Sequence, residues 1–186
     1  MALLVAIGGL VALFITFVSA QNACGDGFDR WAVTRSIVPT TSGYGYTVAA
    51  DDNRRLLFQR TSLLKFYLGG RRGFSLANFT KPSLVSLFWP TWDFMCDGVA
   101  GVMQYNFPHV TNRYSISFAG NEWQTNQIVT SSIPGAITIN DAQSNKVASF
   151  NQRVAGTPSY NVCVKQSLSN CEKEIVFGVV ISYSIK

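Results

Sequence analysis

The sequence contains a single histidine, His109, and no serine in a G-x-S-x-G setting, which removes the commonest nucleophile and base arrangements. It also lacks H-E-x-x-H, G-x-x-x-x-G-K and an EF-hand loop, so zinc peptidase, phosphate-cradling and calcium-loop chemistry have no foothold. No pair among its four cysteines has the C-x-x-C spacing of a zinc site. Paired carboxylates at Asp51-Asp52, and at Glu172 with Glu174, are accounted for by a turn and by the start of a helix. His109 follows Pro108 in an aromatic stretch, where a surface or structural role is the ordinary one. The chain therefore reads as non-enzymatic, with no metal and no cofactor. A hydrolase built on His109 or on carboxylates distant in sequence remains as the remote alternative.

Charge is missing in two other places. Residues 2–20 carry none; Leu3, Val5, Leu10, Leu13, Phe14, Ile15 and Val18 form an apolar stretch that ends in Val18-Ser19-Ala20, a small-residue cleavage site. This predicts a signal peptide over 1–20, a mature protein beginning at Gln21, no transmembrane span after cleavage, and secretion. The n-region has no Lys or Arg, which keeps an uncleaved anchor as the alternative. Between Asn53 and Trp92 there is no Asp or Glu, whereas Arg54, Arg55, Arg60, Lys65, Arg71, Arg72 and Lys81 all fall there. Linkers, low-complexity runs and fixed-period repeats are absent too, so one domain is expected.

Strand signals dominate what is present. Tyr44 to Val48 and Leu56-Leu57-Phe58 flank the turn residues Asp51-Asp52-Asn53 and predict a hairpin. Phe66-Tyr67-Leu68 runs into Gly69-Gly70, with Phe74-Ser75-Leu76 beyond. Tyr114-Ser115-Ile116-Ser117-Phe118 alternates strictly, the pattern of a half-buried strand. Ala136 to Ile139 and Val147 to Phe150 predict a second hairpin, and Tyr160 to Val164 a further strand. Short strands at this spacing predict a mainly β fold, a sandwich or a barrel. The run Ile175 to Ile181 is apolar on every side and must be buried. Its β-branched residues favour a strand; Glu172, Glu174 and Lys186 at its ends favour a helix.

This layout resembles the tubby C-terminal-like superfamily, which includes the LURP-one-related proteins and the phospholipid scramblases. The resemblance rests on the Tyr46-Thr47-Val48 to Leu56-Leu57-Phe58 hairpin and on Arg72-Gly73-Phe74-Ser75-Leu76. It rests further on Ile137-Thr138-Ile139-Asn140-Asp141 with Lys146-Val147-Ala148-Ser149-Phe150, then Tyr160-Asn161-Val162 and the terminal apolar run. It implies a closed antiparallel β-barrel around a buried C-terminal hydrophobic helix, over residues 44–186, with 21–43 as an N-terminal extension. Its familiar members act inside cells and the scramblases carry a cysteine-rich segment, so their activities do not follow; only the fold is implied.

Export would place Cys24, Cys96, Cys163 and Cys171 where thiols oxidise. Two disulfides are expected; connectivity stays open, with Cys163–Cys171 and Cys24–Cys96 favoured because the first closes a short loop. Asn78-Phe79-Thr80 is a glycosylation sequon. For a ligand, Arg54, Arg55, Lys65, Arg71 and Arg72 offer guanidinium and ammonium groups for an anionic lipid headgroup or acidic glycan, if the strands bearing the arginine pairs are neighbours. The same cations would also serve as a solvated face. Trp89 and Trp92, in the aromatic stretch Phe88 to Met95, are candidate contacts for a membrane interface, a sugar or a protein partner, although core packing is the commoner fate of tryptophan. Export and the lack of an RNP-like motif argue against nucleic acid.

Overall fold

The computed structural model describes residues 24–40, 43–50, 55–60, 65–70, 77–80, 91–106, 112–127, 136–153 and 159–184. They form a mainly β, wholly antiparallel sheet and, among the described residues, one helix at the C-terminal end. The strands are β1 (Phe28–Thr40), β2 (Gly43–Ala50), β3 (Arg55–Arg60), β4 (Lys65–Gly70), β5 (Ala77–Thr80) and β6 (Trp92–Cys96). They continue as β7 (Val99–Tyr105), β8 (Asn112–Phe118), β9 (Asn121–Gln127), β10 (Ile137–Asp141), β11 (Lys146–Gln152) and β12 (Ser159–Lys165), followed by the helix α1 (Asn170–Ser184). Each strand pairs with its sequence neighbours, and β1 pairs with both β2 and β12, so the order of pairing returns to its start.

Period-two alternation decides which side chains face inward. In β6 Trp92, Phe94 and Cys96 are buried while Asp93 and Met95 are exposed; in β8 Tyr114, Ile116 and Phe118 are buried. The strands read from sequence at 44–48, 56–58, 66–68, 114–118, 136–139 with 147–150, and 160–164 fall in β2, β3, β4, β8, β10 with β11, and β12. The Asp51 to Asn53 turn, the Phe74 to Leu76 segment and the leader lie outside the described residues. The boundary at 43/44 needs correction. Residues 28–40 are β1, whose Trp31 and Val33 are core residues with backbone partners Val162 and Tyr160 in β12. They belong to the sheet and are no extension of it.

The terminal apolar run is helical. Ile175, Val176, Phe177, Val179, Val180 and Ile181 have no exposed surface, so α1 is enclosed on every side. It packs against β1 and β12 and also against β5 and β6, which stand half the circuit of pairing away. Trp31 meets Phe177 at a ring-centroid distance of 5.0 Å from one side. Burying each such side chain is worth about 1.5–3 kcal/mol, which outweighs the few tenths of a kcal/mol by which each β-branched residue disfavours a helix.

A reciprocal cap starts the helix. Glu172 N donates to Ser169 Oγ at 3.2 Å and Ser169 N donates to Glu172 Oε2 at 2.8 Å, which satisfies two otherwise open N–H groups. Replacing Ser169 with alanine is expected to lower stability by about 1 kcal/mol, measured as a shift of the urea midpoint without a change of slope. Across the sheet, the β10–β11 turn is closed by Asp141, whose Oδ1 accepts from Gln143 N and Asn145 N at 3.0 and 2.8 Å. The Asn145 side-chain hydrogen bond holds the Asp141 carboxyl below the usual carboxylate range. Its contribution to the turn is therefore present above that range and fades as pH falls through the depressed value.

Two disulfides join Cys24 to Cys163 and Cys96 to Cys171, so the favoured pairing is overturned. The reason is the side of the sheet. Cys163 alternates with the buried Val162 and Val164 and so faces outward in β12, where it meets Cys24 just before β1. Cys96 at the end of β6 and Cys171 in the first turn of α1 are both interior. The sheet stands between Cys163 and Cys171, however short the loop that links them. Two disulfides fit an oxidising, extracellular-type environment.

Candidate functional site

The basic segment is built on β3 and β4, which pair with Leu56 opposite Gly70 and Arg60 opposite Phe66. Arg55 opens β3 at the end of the pair where β4 finishes. Arg54 precedes it in sequence, and Arg71-Arg72 follow Gly70; these three lie outside the described residues. Lys65 does not join them. It opens β4 at the far end, opposite Thr80 of β5 and just beyond the Arg60–Phe66 pair, five residues or about 17 Å along the strand from Gly70. β3 and β4, which the arginine pairs flank in sequence, are thus neighbours, and Lys65 stands at the opposite end of their pairing.

Trp92 is also corrected. It is 2% exposed on the inward face of β6, which leaves no ring surface for a sugar, lipid or protein partner. Trp89 and His109 lie outside the described residues. Asn78 is in β5, with backbone partners Tyr67 in β4 and Met95 in β6.

Next to the exposed Asp93, the aromatic stretch turns Met95 outward, 53% exposed and diagonal to Val102 of β7 at 40%. Both line a groove of about 760 Å³ whose polar rim includes Thr80, Asp93, Ser117 and Glu122. The reading from sequence missed this groove. Its signal was the alternation of Trp92-Asp93-Phe94-Met95-Cys96, which separates one apolar residue from three that turn inward.

The interior holds polar groups as well. Glu174, expected to serve the helix terminus, is 1% exposed and its Oε2 lies 3.5 Å from Cys96 Sγ, so only Glu172 acts at the cap. At the other end of α1, Tyr183 Oη donates to Thr125 Oγ1 at 3.0 Å, and its ring meets Tyr114 and Phe150 edge-on at 5.2 Å each. Tyr160, edge-on to Phe150, has its phenol pushed up by burial and by neighbouring Tyr46. Hydrogen bonds and ring packing of this kind lock the end of the helix against β8 and β9. Among the described residues no three His, Cys, Asp or Glu side chains converge as metal ligands, and no helix is long and apolar enough to cross a membrane.

No family model, no curated protein and no solved structure matches the chain.

Proposed function

We propose that the protein is a secreted, non-enzymatic binding module whose sheet forms a barrel wound around α1, as the tubby-like resemblance implies. Its ligand is anionic and engages the end of the β3–β4 pair. The barrel reading is supported by β1, which pairs on both sides, and by α1, which touches strands from both halves of the circuit. A single observation carries the ligand reading: Leu56 stands opposite Gly70. Arg54-Arg55 immediately precede the first of these residues and Arg71-Arg72 immediately follow the second. Two arginine pairs are thereby tethered to one end of one pair of strands, in a stretch without a carboxylate. Guanidinium groups so tethered suit phosphate, sulfate or carboxylate, through bidentate hydrogen bonds that an ammonium cannot make.

Phosphatidylcholine vesicles with and without phosphatidylserine, and immobilised heparin, test the lipid and glycan sources of that chemistry separately. Binding is expected to at least one anionic surface, with none to neutral vesicles, and to weaken as salt rises. Reversing Arg71 and Arg72 to glutamate is expected to weaken it by about tenfold or more, some 1.4 kcal/mol. Equal binding by the wild type and the doubly reversed variant would refute the site.

A further inference from the structure

The groove on β6 and β7 has a charge character opposite to that of the β3–β4 end. From Pro82 to Asn145 the only Lys or Arg is Arg113, against Asp93, Asp97, Glu122 and Asp141. Pairing converts part of this into geometry. Thr80 stands opposite Asp93, Asp93 opposite Val102, Val102 opposite Ser117, and Ser117 opposite Glu122. These five residues form one row across five neighbouring strands, and all five line the groove. The row carries a carboxylate at Asp93, an apolar side chain at Val102 and a second carboxylate at Glu122, with Met95 next to it on the same face. Among the described residues no Lys, Arg or His lines the groove.

Its depth has a local cause. Ala100, Ala119 and Gly120 contribute almost no side chain to the floor. Ala119 and Gly120 hold φ of 46° and 77° in the tight turn between β8 and β9, so the chain there doubles back without filling the space above β7. Met95 and Val102 are the two exposed large apolar side chains among the described residues, and they stand diagonal to each other across the β6–β7 pair. Isolated exposed apolar residues need no explanation, but two that line one depression rimmed by polar groups are the usual form of a contact site.

We infer that this groove docks an extended peptide segment of the pattern cation, any residue, apolar residue, any residue, cation. Asp93 and Glu122 are three strand spacings apart, about 14 Å, and the first and fifth residues of an extended chain are about 13 Å apart on one face. The third residue of such a segment points the same way and falls between Val102 and Ser117, with Met95 to one side of it. A peptide lying across the strands thus places each cation at a carboxylate and its central side chain on the apolar floor. An acidic segment would set like charges together, and an uncharged one would forgo both ends. This site is independent of the anionic-ligand proposal; either can fail without the other.

The test titrates the folded, disulfide-bonded, isotope-labelled protein with the capped peptide Lys-Ser-Leu-Ser-Lys. Amide shift changes are expected to be confined to β5 through β9, with an affinity that falls as salt rises. The double reversal Asp93→Lys with Glu122→Lys is expected to weaken binding about tenfold or more, and Met95→Ser about threefold, amounts equivalent to about 1.4 and 0.6 kcal/mol. All three positions face the surface, so unchanged thermal unfolding of the variants separates lost docking from lost folding. The inference is overturned if Glu-Ser-Leu-Ser-Glu or Lys-Ser-Ser-Ser-Lys binds equally well, or if the variants bind as the wild type does. It is overturned equally if the protein self-associates through this face and Met95→Asp abolishes that association, because the occupant would then be a second copy.

Discussion

Replacing Gly178 with leucine is expected to lower the stability of the folded protein by about 3 kcal/mol, because α1 and β5 touch where that side chain would go. A Cβ at Gly178 would lie 2.6 Å from Cε1 of Phe79, inside van der Waals contact. The Phe79 ring has little freedom to retreat, since it is 1% exposed and backed by Phe94 at a centroid distance of 5.4 Å. Leucine is the better helix former by about 0.8 kcal/mol, so an isolated helix would gain from the change. The loss therefore reports packing alone. A double-mutant cycle with Phe79→Ala checks the cause: removing the ring makes room, so the two substitutions together are expected to cost at least 1 kcal/mol less than their sum. Strict additivity would mean that α1 does not lean on β5 at this point.

Converting Cys96 and Cys171 together to alanine is expected to cost about 4 kcal/mol. Their disulfide closes a loop across a sequence separation of 75, and the chain-entropy estimate for a loop of that length is of this size. The loss should concentrate at the start of α1, where hydrogen exchange is expected to speed up through the Ser169 cap before it does so near Tyr183. Connectivity can be read separately. Cys163→Ala should leave Cys24 as the one reactive thiol, with Cys171 still protected by Cys96. Labelling of Cys171 in that variant would restore the short-loop pairing and remove the tether between β6 and the helix.

How much of this was legible in the sequence depends on how much of each inward face is apolar. β8 is plain, because Tyr114, Ile116 and Phe118 alternate with two serines. β9 is hidden by asparagine and glutamine; among its described side chains only Trp123 and Thr125 are buried, and Thr125 is held there by Tyr183 Oη and Tyr114 N. In β7 the inward position between Phe94 and Phe118 is Gly101, which breaks the apolar rhythm because the Phe94 ring and the Phe118 Cβ already fill the space. In β6 the density of aromatic residues suggests candidate contacts, and the alternation within it, which turns Trp92 inward, is easily passed over. β1 fell in the segment 21–43 that the resemblance left as an N-terminal extension, yet Trp31 and Val33 are as deeply buried as any residues in the core.

The candidate sites were legible to different depths. The basic run is visible from composition, but which cations meet depends on register, and register separates Lys65 from Arg55. The disulfides required knowing which side of the sheet each sulfur occupies, which loop length does not reveal. The helical choice for Ile175 to Ile181 could not come from periodicity, because a segment buried on all sides has none. Burial of Ile175 to Ile181 is what makes a β-branched helix tolerable there, so its conformation depends on contacts distant in sequence.

Hydrogen exchange of the folded protein, with and without phosphatidylserine-containing vesicles or heparin, tests the central claim most directly, because it locates the ligand as well as detecting it. Protection confined to peptides spanning Arg54 to Arg72, lost on reversal of Arg71 and Arg72, is the expected result. Protection that instead maps to β6 through β9, or that survives the reversal, would contradict an anionic-ligand site at the end of the β3–β4 pair.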